Sequence, residues 1–283
     1  TREFWGGTTL SSLYPEHYIL CEGFHDRAFW YGWLLENGWK GDRKRTDERS
    51  VKFEHDGGYP CLSPENHLIT YILPCKGWNN ILRSFGIRYK AIQGEMNAAQ
   101  EKREPLGRYK FILNVDDDTP IKPVDEDAEE TTPVETFSYT LHIDLVRSKM
   151  KSLDPNTIED DDCFYLADRH CEVRIVRWQV DTPDNSGLPA KQTLERMDCA
   201  AIRTAYPQRT ETVNRWLSSR SEEDRPKETP KEHAWSYMAG WYPEHGCDDF
   251  YRRVWSDEKI RKELEDILRD NGSWGIFEEF AQQ

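Results

Sequence analysis

Three short apolar runs, each closed by glycine, proline or acidic residues, constrain this chain more than any other feature. Tyr18-Ile19-Leu20-Cys21 ends at Glu22-Gly23 and leads into residues 26–35, where apolar side chains fall at helical spacing and Asn37-Gly38 supplies a stop. A second run over residues 67–73 leads through Pro74-Cys75-Lys76-Gly77 into another amphipathic stretch, residues 78–85. After a charged connection over residues 93–106, a third run, residues 109–115, stops at Asp116-Asp117-Asp118-Thr119-Pro120. Continuous apolar runs are what a strand buried on both faces requires, and their alternation with helices predicts a parallel sheet with right-handed crossovers. The carboxyl ends of its strands then gather along one edge.

Beyond this unit the pattern loosens. Residues 40–58 read as a polar loop, and residues 122–135 as an acidic, Pro/Thr-rich exposed loop. Residues 139–146 and 171–180 look strand-like, with a turn at Glu159-Asp160-Asp161-Asp162 between them. Helices are expected over 192–205 and 211–217, followed by a polar break at 218–230. Further helices are expected at 231–240, 248–254 and 257–269, the last with Ser256 as N-cap. No solenoid-length repeat is present in the sequence.

The charge balance limits the partners. With 38 basic and 52 acidic residues the net charge is −14, the wrong sign for gripping nucleic acid over the whole surface by phosphate neutralisation. Contact with such a substrate has to be local, metal-bridged or helped by a basic partner. Eleven Trp, 13 Tyr and 11 Phe supply the burial that a disordered chain of this polarity lacks. Seven scattered Cys with no CxxC pair read as reduced thiols, and no apolar run approaches the roughly 20 residues that span a bilayer, so a soluble cytoplasmic protein is expected.

Chemistry is expected where acidic residues follow the buried strands. Glu22 follows the first, and Asp116 and Asp118 follow the third. In an Asp-x-Asp at a strand end both carboxylates project from one side of an extended backbone and can face one cation. Mg²⁺ takes oxygen ligands and keeps several waters, so two or three carboxylates suffice when phosphate completes its shell. A solvated turn at Asp116-Asp117-Asp118 is the competing reading. Asp26 reads as a helix cap lying close to the same place. His25 is either an exposed turn residue or a group that positions water. Trp30, Trp33, Trp39 and Trp235 can stack bases, but the spacing of Trp30, Trp33 and Leu34 fits core packing better. Cys163, His170 and Cys171 lack the second pair that zinc needs.

The order apolar strand, Glu22-Gly23, Asp26, helix, and later apolar strand and Asp116-x-Asp118 resembles the Toprim domain shared by topoisomerases, primases, recombination-repair proteins and the overcoming-lysogenization-defect nucleases. The resemblance covers residues about 18–120 and is nearest to the nuclease-type versions. It implies an α/β fold: a Toprim-like parallel sheet flanked by helices, with a core at 1–120, an insertion with extra strands at 121–190, and a completing, helical C-terminal part at 191–283. It also implies a metal-dependent nuclease that uses Mg²⁺ or Mn²⁺ on DNA or RNA. Glu22, Asp116 and Asp118 carry over as catalytic metal ligands, Glu195 as a second-metal ligand, and Lys231 as a charge stabiliser for the phosphate in flight. Stand-alone Toprim proteins of this kind resemble effectors of bacterial anti-phage defence that work with an ATPase sensor. Oligomeric state is left open. The alternative is a non-catalytic Toprim-fold subunit that docks in a larger complex.

Overall fold

The computed structural model describes residues 16–41, 57–65, 68–117, 141–161, 163–180, 188–189, 191–219, 221 and 246–281. The first unit forms as expected: strand β1 (Glu16–Cys21), helix α1 (Phe24–Glu36), strand β4 (Ile69–Pro74), helix α2 (Trp78–Lys102) and strand β5 (Tyr109–Asp116). Two short strands, β2 (Lys40–Gly41) and β3 (Tyr59–Leu62), intervene before β4. Helix α3 (Ile143–Leu153), strands β6 (Ile158–Asp160), β7 (Cys163–Leu166) and β8 (Cys171–Trp178) follow. The chain continues through helices α4 (Leu194–Ala205), α5 (Pro207–Ser219), α6 (Cys247–Ser256), α7 (Glu258–Asp270) and α8 (Trp274–Ala281).

All eight strands join one sheet in the order β2-β3-β4-β1-β5-β8-β7-β6. The central four, β4-β1-β5-β8, are parallel, and antiparallel pairs close both flanks. The expectation of an α/β protein with a parallel core sheet is therefore met. From β1 the chain moves to β4 on one side; from β5 it moves to β8 on the other. The winding thus changes direction between β1 and β5, the kind of switch point beyond whose carboxyl ends open α/β sheets bind ligands.

Strand alternation divides the core in two. Ile19, Ile72, Ile112, Val176 and Trp178 face α1 and the C-terminal helices, while Tyr18, Leu20, Tyr71, Phe111 and Val173 face the other way, packing with α2 and α3 residues Phe85, Tyr89, Val146 and Met150. On the first face Trp30 stacks on Phe277 at 4.1 Å between ring centroids. Trp30, Trp33 and Trp39 are all buried, in agreement with the core reading. The indole N–H of Trp30 donates to Asn114 Oδ1 at 2.9 Å, and that of Trp255 to Phe29 O at 3.0 Å, so neither polar tip is stranded in the core. Gly32 in mid-helix α1 has a packing reason: a Cβ there would meet the Tyr251 carbonyl carbon and oxygen at 2.8 Å, so α6 lies against α1 only because the side chain is absent.

Several local readings are corrected. Residues 143–146 belong to helix α3, not a strand: the Tyr139, Leu141, Ile143, Leu145 alternation reads as period two, but the helix buries Val146 and Met150 at a spacing of four. Residues 93–102 continue helix α2, with Ile92 and Met96 buried on one side and polar side chains on the other, rather than forming a connection. Glu159-Asp160 lies in edge strand β6, and the turn centres on Asp161, whose φ is 49°. The cap of α7 is Asp257, not Ser256; its Oδ1 accepts from Lys259 N at 3.1 Å and Ile260 N at 3.2 Å. No described helix is long and apolar enough to cross a membrane.

Candidate active site

Strands β1 and β5 are neighbours in register, Leu20 beside Leu113 and Cys21 beside Asn114, so their ends deliver Glu22 and Asp116 to the same edge of the sheet. The Glu22 carboxylate accepts a hydrogen bond from the Asp116 backbone N–H at 3.1 Å. Asp116 Oδ1 in turn accepts from Leu194 N at 3.0 Å, at the start of helix α4. The first N–H groups of a helix have no partner within it and carry partial positive charge, so a carboxylate is favoured there. Thr193 caps the same helix, its hydroxyl accepting from Arg196 N at 3.3 Å. The first turn of α4 then holds Glu195 beside Asp116, with Asp198 one turn further on.

Helix α1 adds Asp26 from the opposite side. Its Oδ2 accepts from Gly23 N at 2.9 Å, closing the helix start, and its Oδ1 accepts from the Trp178 indole N–H at 2.7 Å, at the end of β8. The capping role read from sequence is therefore present, with a tertiary bond beside it. Tyr251 on α6 donates its hydroxyl to Asp198 Oδ2 at 2.9 Å. Asp198 is fully buried, and its Oδ1 has no hydrogen-bond partner. His25 stands at the rim, Nδ1 3.9 Å from Glu195 Oε1 and its ring edge-on to Tyr251.

Electrostatics ties these groups into one cluster. Burial pushes Asp26 from 3.8 up to about 6; the Trp178 hydrogen bond opposes the rise, and the charge of Glu195 adds to it. Asp116 is driven well above the usual carboxylate range, first by burial, then by Asp26, Glu195 and Glu22 in turn. Asp198 is driven the same way by burial, with Tyr251 opposing and Glu195 and Asp26 adding. Carboxylates from α1, β5, α4 and the β1 turn thus lie close enough for their charges to raise the proton affinity of Asp26, Asp116 and Asp198. A cation there would offset the shared negative charge.

Of the residues expected from sequence, Glu22, Asp116 and Glu195 are brought together, whereas Asp118 and Lys231 lie outside the described residues. Asp198 and Tyr251 were missed. The signal for Asp198 was the Glu195-x-x-Asp198 spacing after a Thr193 cap, which puts both carboxylates on one side of a helix. Tyr251 carried no local signal, being placed by the α1–α6 contact. Among the described residues no three Asp, Glu, His or Cys side chains stand at the mutual spacing of a closed ligand cage. The all-oxygen donor set, with Asp116 raised by its acidic neighbours, nevertheless fits a hard divalent ion, which needs only one or two carboxylates when waters and substrate phosphate complete its shell.

No family model matches the chain, and no curated protein matches it. Among solved structures the chain is similar to a hypothetical protein from Pyrococcus horikoshii OT3, with a TM-score of 0.61 and 16% identity, over 94% of this chain and 99% of that one. The likeness is one of fold.

Proposed function

We propose that this chain is a divalent-metal-dependent phosphodiester hydrolase of Toprim type, acting on DNA or RNA. One observation carries the reading. Glu22 and Asp116 end adjacent parallel strands where the winding of the sheet reverses, and the Glu22 carboxylate lies 3.1 Å from the Asp116 backbone nitrogen. That is where ligands of open α/β sheets bind, and the excess of buried carboxylate there is the chemistry that Mg²⁺ or Mn²⁺ answers.

Glu22, Asp116 and Glu195 would hold the ion, with Asp118 joining them and Lys231 serving as a charge stabiliser for the phosphate, as the Toprim resemblance implies. A bound divalent ion supplies a hydroxide-like water and countercharge for phosphate oxygens. Asp26 holds the start of α1 against Trp178 and so fixes the Glu22 turn; both its oxygens are engaged in that task. Tyr251 steadies Asp198, and through it the face of α4 that presents Glu195. The net charge of −14 fits a conditional enzyme whose substrate is delivered by a basic or sensor partner, such as the ATPase of a defence system.

The test is cleavage of DNA and RNA in Mg²⁺ or Mn²⁺ by the chain, alone and with the product of a neighbouring ATPase gene. Glu22→Gln and Asp116→Asn should each slow cutting by at least about a hundredfold, more than is typical for outer-shell partners. Equal cutting by wild type and both variants would sink the site. A melting temperature that Mg²⁺ does not raise would favour the docking-subunit alternative, because a bound ion stabilises the folded state by mass action.

A further inference from the structure

Two side chains next to the Glu22 turn stand outside the carboxylate cluster. Phe24, the first residue of α1 and two positions after Glu22, is 46% exposed. An exposed Phe is usually mobile, but this one is braced. The Arg27 guanidinium lies 5.0 Å from its ring centroid, and Arg27 is itself fixed by Gly57 O at 2.6 Å, Asp248 at 3.5 Å and the Tyr59 ring at 3.7 Å. Gly57 leaves room for the ring edge, since a Cβ there would meet Phe24 Cε1 at 2.9 Å.

Two residues after β4, Lys76 is exposed and in the left-handed region at φ 61°. Its neighbour Gly77 donates its N–H to Glu22 O at 2.9 Å, so the turn carrying Lys76 is tied to the backbone of the Glu22 turn. A braced aromatic and a cation, both carried by turns joined to the Glu22 turn, are the two elements that hold a single strand, stacking for a base and an ammonium for a phosphate. A duplex keeps its bases stacked on one another and offers Phe24 no face. It also demands broad phosphate neutralisation, which a chain of net charge −14 resists. Stacking does not depend on net charge.

We infer that the substrate strand is unpaired where it is cut, one base stacked on Phe24 and a nearby phosphate on Lys76. This rests on the hydrolase reading above and names its substrate class.

The experiment is fluorescence anisotropy of the full chain in Ca²⁺, with labelled twelve-nucleotide oligothymidylate, oligouridylate and a twelve-base-pair duplex, followed by cleavage of the same probes in Mg²⁺ or Mn²⁺. The two single strands separate DNA from RNA preference, and tighter binding of at least one of them than of duplex supports the inference. Phe24→Ala should weaken single-strand binding about tenfold, and Phe24→Trp should restore it. Lys76→Met should weaken it about threefold and lower the slope of log Kd against log salt by about one. The inference is overturned if the duplex binds at least as tightly as the better of the two strands, if neither strand binds, or if Phe24→Ala matches wild type. Failure of the hydrolase reading looks different: cleavage is then indifferent to Glu22→Gln on every probe. Failure of this inference alone leaves Glu22-dependent cutting intact, with duplex as the better substrate.

Discussion

The two faces of the sheet are packed by different rules. On the α2–α3 face the buried side chains are chiefly hydrocarbon and aromatic: Tyr18 stacks on Phe111 at 4.7 Å, and Phe85 meets Phe111 edge-on at 4.9 Å. The α1 face buries Asp26, Asn114, Glu195 and Asp198 among its tryptophans, each bonded or charged toward the strand ends. Buried carboxylates oppose stability unless something compensates them; the α2–α3 face buries Glu16, which accepts from the Tyr18 hydroxyl, whereas the α1 face gathers three near the strand ends. One face supplies stability, and the other spends part of it on the site.

The sharpest way to break this contrast is to truncate on the apolar face. Phe85 is fully buried on α2, and Phe85→Ala should cost about 3–5 kcal/mol of unfolding free energy by leaving a cavity. Activity per folded molecule should stay at the wild-type level. Denaturant titration paired with an activity assay corrected for the folded fraction reads both, and a large fall in corrected activity would mean that the two faces are not separate in function.

Gly32→Ala probes the other face. The added methyl would press on the Tyr251 backbone, which cannot swing aside as a side-chain tip can, so α6 must shift from α1. The cost should be about 1–3 kcal/mol, smaller than that of Phe85→Ala. Here corrected activity should also fall, because Tyr251 is carried away from Asp198. Stability loss with unchanged corrected activity would show α6 to be packing alone.

Legibility in the sequence follows the same division. The runs at 18–21 and 109–115 could be read because strands buried on both faces must be continuously apolar, and their ends fix Glu22 and Asp116 without further information. Edge strand β6, exposed along its whole length, has the composition of a loop, so Glu159-Asp160 read as a turn. Residues 93–102 looked like a connection because only Ile92 and Met96 mark the buried side of a solvated helix. In the second half of the site Glu195 was reached only through the family resemblance, and Asp198 was missed, for another reason. Glu195 and Asp198 become site residues only because α4 docks its N-terminus on Asp116, a contact between residues 78 positions apart. No local pattern encodes that.

The smallest expected effect concerns the sign of a pH dependence. Asp26 has its proton affinity raised on folding, from 3.8 to about 6, with burial the leading cause. A carboxyl raised in this way favours the folded state while protonated in both states, below about pH 4, and that contribution is lost as pH climbs through about 6. Asp26→Asn abolishes the titration. The amide oxygen can still accept from the Trp178 indole, but the amide nitrogen cannot accept from Gly23 N–H, a loss of about 1 kcal/mol for a broken helix cap. Near pH 4 the variant should therefore be the less stable protein. Between pH 4 and 7 the gap should narrow and then invert, since wild type acquires a buried charge that the variant lacks. Removing that charge also relieves Asp116 and Asp198, which feel it, so their response has the same sign. Urea midpoints without divalent ions at pH 4, 5, 6 and 7 measure the gap directly, and a constant gap would mean that Asp26 is no part of the carboxylate cluster.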